Sequence, residues 1–226
     1  MKALLIAMLI VVALGAPLAV LAQTSPADVA LLLTDARAAN DALMRQYTWI
    51  SRTEMFDQGQ VKDVRIEAVT YGFEGRLQRS VLKDQTAHLP AGFLRRHVAE
   101  HERQKVEEYV AALRSLLDDY TLPRAGQVQN FINGATASGP DSGGLYKVSG
   151  RNVVLPGDNF VVWVDPATRH GQKVQVSTSF DGDPVTLTAT FKTLASGLNH
   201  VAYAEVTVPA RQISIQVQNF DFDRTN

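Results

Sequence analysis

Two stretches of the 226-residue chain carry residue types able to do chemistry. His97-Val98-Ala99-Glu100-His101 sets two imidazoles four residues apart, with a carboxylate beside the second. On a helix both imidazoles would share one face, where they could hold zinc while Glu100 activates water. A zinc hydrolase of that kind needs a third ligand from a downstream helix, and the downstream sequence is mainly of strand type. Charge-rich helices also generate such strings through Glu/Lys/Arg pairing on a solvated face. The second stretch, Asp141-Ser142-Gly143-Gly144, resembles the nucleophile segment of chymotrypsin-like serine proteases, and Thr86-Ala87-His88 faintly resembles the segment around their histidine. That mechanism places His and Ser on separate β-barrels with an aspartate between them in sequence. Here only 53 residues intervene, most of them helical in pattern, and Asp118 and Asp119 fall on that helical stretch. Lys147, Arg151, Arg169 and His170 do not group by spacing into a phosphate loop, and no Gly-rich nucleotide motif follows a strand. The chain is therefore read as a non-enzyme with no catalytic residue, no metal and no cofactor.

Composition narrows the class further. Residues 1–22 hold one charge, Lys2, then an apolar run broken only by Gly15 and Pro17, and end at Val20-Leu21-Ala22. This is the order of a cleavable secretory signal, with cleavage expected after Ala22. A retained anchor is the rival reading, since the run is long enough to span a bilayer. Cleavage leaves 21 basic and 23 acidic residues, too neutral a balance for a nucleic-acid surface. No cysteine is present, so neither a disulfide nor a lipid-modified cysteine can form. A periplasmic or secreted location, with no stable membrane span after cleavage, is the expectation; residues 23–226 suit one domain.

The elements follow from periodicity. Ser25 caps and Pro26 starts a helix whose stripe of Leu32, Ala36, Ala39 and Leu43 ends near Gln46. Strands are expected over Tyr47–Phe56, Val61–Tyr71 and Arg76–Leu82, with Val64, Ile66 and Ala68 as the dry side against Arg65 and Glu67. Residues 83–94 read as irregular. Arg95–Tyr120 returns to helical spacing through Val106, Tyr109, Val110, Leu113, Leu116, Leu117 and Tyr120. A shorter helix after Pro123 carries Val128, Phe131, Ile132 and Ala135, and Ser138–Gly144 reads as a flexible linker.

The final third alternates most cleanly. Val174/Val176 with Phe180, Val185/Leu187 with Phe191, and Ile213/Ile215/Val217 are separated by polar residues, so one sheet face is dry and the other wet. Phe160–Val164 is apolar on both faces and is expected in a central position. His200 reads as a turn-edge histidine, and Trp49 and Trp163 as strand-core residues. About nine antiparallel strands and about three amphipathic helices must bury each other's apolar surfaces. The economical solution is an α+β fold: a curved, incompletely closed antiparallel half-barrel covered by helices.

This order of helix, meander, helical insertion and hairpins resembles the periplasmic lipoprotein-carrier superfamily that includes LolA and LolB. The local text carrying it is Tyr47-Thr48-Trp49-Ile50-Ser51-Arg52-Thr53-Glu54 and Tyr71-Gly72-Phe73-Glu74-Gly75-Arg76-Leu77-Gln78-Arg79. Val162-Trp163-Val164-Asp165-Pro166-Ala167-Thr168 and Phe180-Asp181-Gly182-Asp183-Pro184-Val185 complete it. The resemblance implies an exported carrier of a lipid, acyl chain or lipidated protein. The candidate lining is Val174, Val176, Phe180, Val185, Leu187, Phe191, Ile213, Ile215 and Val217, with Ile66 and Trp163 added. The alternative is a solid-cored module binding another envelope protein through its charged helix face and wet sheet face.

Overall fold

The computed structural model describes residues 39–73, 75–86, 104–106, 108–113, 116, 120, 127, 131, 133–165, 167–168 and 170–225. The secretory segment, most of the first expected helix, and His88, His97, Glu100 and His101 lie outside the described residues.

Ten strands form one sheet: β1 (Tyr47–Asp57), β2 (Gln60–Tyr71), β3 (Leu77–Thr86), β4 (Thr136–Ser138) and β5 (Tyr146–Arg151), then β6 (Asn159–Val164), β7 (Gly171–Phe180), β8 (Asp183–Thr193), β9 (Asn199–Val208) and β10 (Ile213–Arg224). Their order is β3-β2-β1-β10-β9-β8-β7-β6-β5-β4, so the sheet is open, with β3 and β4 at its edges. Every neighbour pair is antiparallel, as short local turns require for sequential strands; the long-range pair β1–β10 is antiparallel too. At β1–β2, Gln58 (φ 53) and Gly59 (φ 73) make the turn; at β7–β8, Asp181 (φ 53) and Gly182 (φ 82) do. Two consecutive left-handed residues match the twist of the flanking strands, and Asp-Gly supplies them with least strain.

The half-barrel expectation holds, with corrections of detail. There are ten strands rather than about nine, because Thr136–Ser138, read as helix end and linker, pairs with Ser149–Lys147 of β5. The supposed linker is a compact hairpin loop: Asp141 Oδ1 accepts from Gly143 N (2.8 Å) and Leu145 N (3.0 Å). That use of Asp141 also accounts for the Asp-Ser-Gly-Gly string as turn chemistry. β3 runs on to Thr86 through residues read as irregular. β6 is third from an edge, not central, yet Phe160, Val161 and Val162 are all buried. His200 is buried rather than at a turn edge, its ring 3.9 Å from that of Phe222. Helical residues occur at 39–44, 104–106, 108–113, 116, 120, 127, 131 and 133–134, and the lengths expected for three helices lie largely outside the described residues.

Two apolar clusters hold the sheet. The larger joins β6–β10 to Tyr109, Val110, Leu113, Tyr120 and Phe131 of the helical stretch. The smaller, at the far end of β1–β3, contains Met44, Tyr47, Trp49, Val69 and Leu198, with Trp49 stacked on Phe222 at 5.6 Å. Asn40 ties the helical turn 39–44 down by accepting from Asn199 N (2.9 Å) and donating to Asn199 O (3.0 Å).

Candidate functional site: the helix-covered face of the sheet

Strand register writes out the inner face directly. One row crosses all ten strands: Ala137, Val148, Val162, Val174, Ala189, Ala204, Val217, Thr53, Arg65, Asp84. The first seven are apolar, the last three are not. The adjacent row runs Gly150, Phe160, Val176, Leu187, Val206, Ile215, Met55, Asp63, and changes character one strand later, between β1 and β2. A continuous dry surface therefore covers β5–β10 and part of β1, with exposed β4 at its rim, and gives way to charge on β2 and β3.

Of the proposed lining, Val174, Val176, Val185, Leu187, Phe191, Ile213, Ile215 and Val217 are brought together in the larger cluster, and Phe180 packs against it. Ile66 and Trp163 are not. Ile66 lies opposite Arg52 and Lys83 on the outer face. Trp163 lies opposite Lys147 and Lys173, also outside, with the two ammonium nitrogens 5.7 and 5.0 Å from its ring centre.

The expected parity of β2 is inverted. Arg65, Glu67 and Val69 take the inner side, in register with Thr53, Ser51 and Trp49, while Val64 and Ile66 face out. The charges are paired there: Arg65 Nη2 lies 2.7 Å from Asp84 Oδ2, and Arg79 Nη1 lies 2.9 Å from buried Glu67. Burial pulls the Arg79 guanidinium below its ordinary value, and Glu67 opposes that pull. The signal for this parity was present downstream: Val69 and Tyr71 share it and join the smaller cluster with Trp49. Pattern reading weighted the branched residues Val64 and Ile66 instead.

Covering the apolar half, Tyr109, Val110, Leu113 and Tyr120 repeat at helical spacing with Leu113 fully buried. Two side-chain attachments hold this cover at the end of β7. Tyr109 packs edge-on against Phe180 (5.2 Å) beneath the Arg211 guanidinium (3.9 Å). Arg211, in the 3-10 turn Pro209–Arg211, binds Asp183 (2.5 Å) and Asp181 (3.1 Å). Tyr120 donates to Asp158 Oδ2 at 2.8 Å and lies 2.9 Å from Thr178 Oγ1. Asp158 itself is buried and accepts from the backbone N–H groups of Val153, Val154 and Leu155 at 2.7–2.9 Å. A buried carboxylate so supplied with donors needs no cation.

Among the described residues no three His, Cys, Asp or Glu side chains come together as a metal site. No helix among them is long and apolar enough to cross a membrane. The arrangement can bury an apolar body between sheet and cover.

Fold and site together define an open antiparallel half-barrel with a helix-covered apolar face. No protein-family model and no curated protein matches the chain. Among solved structures it resembles a DUF1329 family protein from Desulfovibrio piger, at 11% identity and TM-score 0.46, over 88% of this chain and 91% of that one. A LolA superfamily protein from Nitrosomonas europaea aligns at 10% identity and TM-score 0.39, over 83% and 91% of the two chains. A domain from Vibrio parahaemolyticus described as outer membrane lipoprotein-sorting aligns at 10% identity and TM-score 0.37, over 83% and 90%.

Proposed function

We propose that this is an exported, non-enzymatic carrier that holds a lipid, an acyl chain or a lipidated protein between the inner sheet face and the 104–120 segment. The observation that carries the reading is the unbroken apolar row from Ala137 to Val217 across seven strands of a sheet that does not close. The cover above it contributes no strand to the sheet among the described residues. Its polar attachments among the described residues include the Tyr109–Arg211–Asp183 and Tyr120–Asp158 contacts at one end. Side-chain contacts of that kind are exchanged more cheaply than a strand ladder, so the cover can lift while the sheet stays intact. The described part of the interior is closed by packing, and an acyl chain would enter by replacing cover side chains with its own methylenes.

The test is uptake of a fluorescent fatty acid by the exported protein, read beside urea melts of the same variants. Asp183→Asn with Arg211→Gln should speed uptake by loosening the cover, with the sheet still folded. Leu187→Ala truncates a fully buried side chain and should cost about 2–5 kcal/mol, lowering probe affinity as well. If both the wild type and the loosened variant stay folded and exclude the probe, the face is solid core. A protein-binding module then replaces the carrier.

A further inference from the structure

The outer face of the sheet is unevenly charged. On β5–β8 the outward positions hold Lys147 and Arg151, Trp163, Lys173 and Lys192; the other outward positions are Ser, Asn, Val, Gln, Thr and Pro. Four cations and no carboxylate thus hold the outward positions of these four strands, in a chain whose formal net charge is −1; Asp183 at the start of β8 and Asp181 in the turn before it are both bound by Arg211. The nearest carboxylate beyond β6, Asp165, is turned into its own loop, accepting from Ala167 N (2.8 Å) and Thr168 Oγ1 (2.9 Å). The next outward acid across the sheet is Glu205 on β9, bonded by Gln216 at 3.1 Å.

We propose that this outer face of β5–β8 docks on an anionic lipid bilayer. Strand spacing spreads the cations over about 15 Å across the strands and about 20 Å along them, an open surface rather than a pocket. At its edge the half-buried indole of Trp163 is flanked by Lys147 and Lys173 in direct cross-strand register. Their ammonium groups, 5.7 and 5.0 Å from the ring centre, are drawn to its π face. An aromatic ring flanked by lysine ammonium groups suits the headgroup layer, where tryptophan and lysine both partition. Charge complementarity points to acidic headgroups, and a preformed sheet surface needs little ordering on contact. The surface is independent of whether the inner face holds a ligand.

The exported full-length protein and its variants are floated with vesicles of equal phosphatidylglycerol and phosphatidylcholine, and with phosphatidylcholine alone. Binding to the anionic vesicles is expected, with loss at high salt. K147Q/K173Q should weaken it about 25-fold, at about fivefold per lysine. A charge-matched pair elsewhere, K62Q/K83Q, should change it far less. Trp emission should shift to the blue on binding, and W163F should abolish that shift, since Trp49 is already buried. The proposal is overturned by any of three results from folded protein. These are no binding to anionic vesicles, equal losses from the two lysine pairs, or displacement by a soluble acidic polypeptide as effective as excess vesicles. The last would make this a protein-docking face.

Discussion

Asp158 and His200 show how single residues settle local questions that pattern leaves open. Asp158 replaces a strand partner for the 152–158 loop: three amide protons that would otherwise be orphaned end on one carboxylate, and Tyr120 adds the fourth bond. His200 sits against Phe222, and burial pulls its imidazole below the ordinary value of 6.5, with Lys192 adding to the pull and the Val201 carbonyl opposing it. His170 is displaced in the same direction, again by burial first, with Asp165 opposing. The sign follows from linkage. Above about pH 6.5 both folded and unfolded chains carry neutral rings, so nothing is gained. Below it the unfolded chain takes up protons that the folded chain resists, and stability falls until the folded values are passed. Melting temperature should therefore drop between pH 7.5 and pH 5, and His200→Gln should flatten part of that drop, leaving the share due to His170. An unchanged slope in this variant would mean His200 protonates in place without strain.

At the scale of elements, the contact between β5 and the helical stretch depends on a missing side chain. Gly150 lies beneath Phe131, and a Cβ there would stand 2.5 Å from the ring edge. The ring uses the gap to meet Phe160 edge-on at 5.2 Å. Gly150→Ala should push the ring off the sheet and cost about 1–3 kcal/mol, as overpacking of a fitted core does. Urea melts measure that cost, and near-ultraviolet circular dichroism should report loosened aromatic packing. A neutral substitution would show that Phe131 shifts freely, and that this part of the cover is held elsewhere. The same scale explains the missed strand β4. Three residues, Thr136–Ser138, carry too short a pattern to be told from a loop, and only the edge of β5 gives them partners.

For the whole molecule the decisive contact is β1 with β10. It joins the first three strands to the last one, so the sheet is continuous only after the C-terminal strand is in place. Such long-range pairing comes late and makes folding slow relative to local hairpins. Deleting residues 213–226 should abolish single-transition unfolding: among the described residues β1–β3 would lose the one strand ladder to the rest of the sheet, keeping only the Asn40–Asn199 bonds and the Leu198 contact. It would also uncover the Val206–Val208 side of the core. Retention of one sharp transition in the truncated chain would mean that the two groups of strands are joined by more than this ladder.

The amino-acid pattern alone determined the antiparallel class, the strands between Asn159 and Arg224, and the dry sides of β7, β8 and β10. Alternation reports faces wherever one side is wet and the other buried. It also determined the Val106–Tyr120 stripe that meets those faces, because helical periodicity is equally local. Tertiary structure decided what neighbours decide. Ile66 and Trp163 are large and apolar, yet register sets each opposite basic side chains on the outer face. Arg65 and Glu67 are charged, yet Asp84 and Arg79 on the next strand make their inward position tolerable. Hydrophobic pattern ranks a residue against its own chain neighbours, whereas the side it finally takes depends on partners across the ladder. Those partners are brought in by turns, bulges and the pairing of β1 with β10.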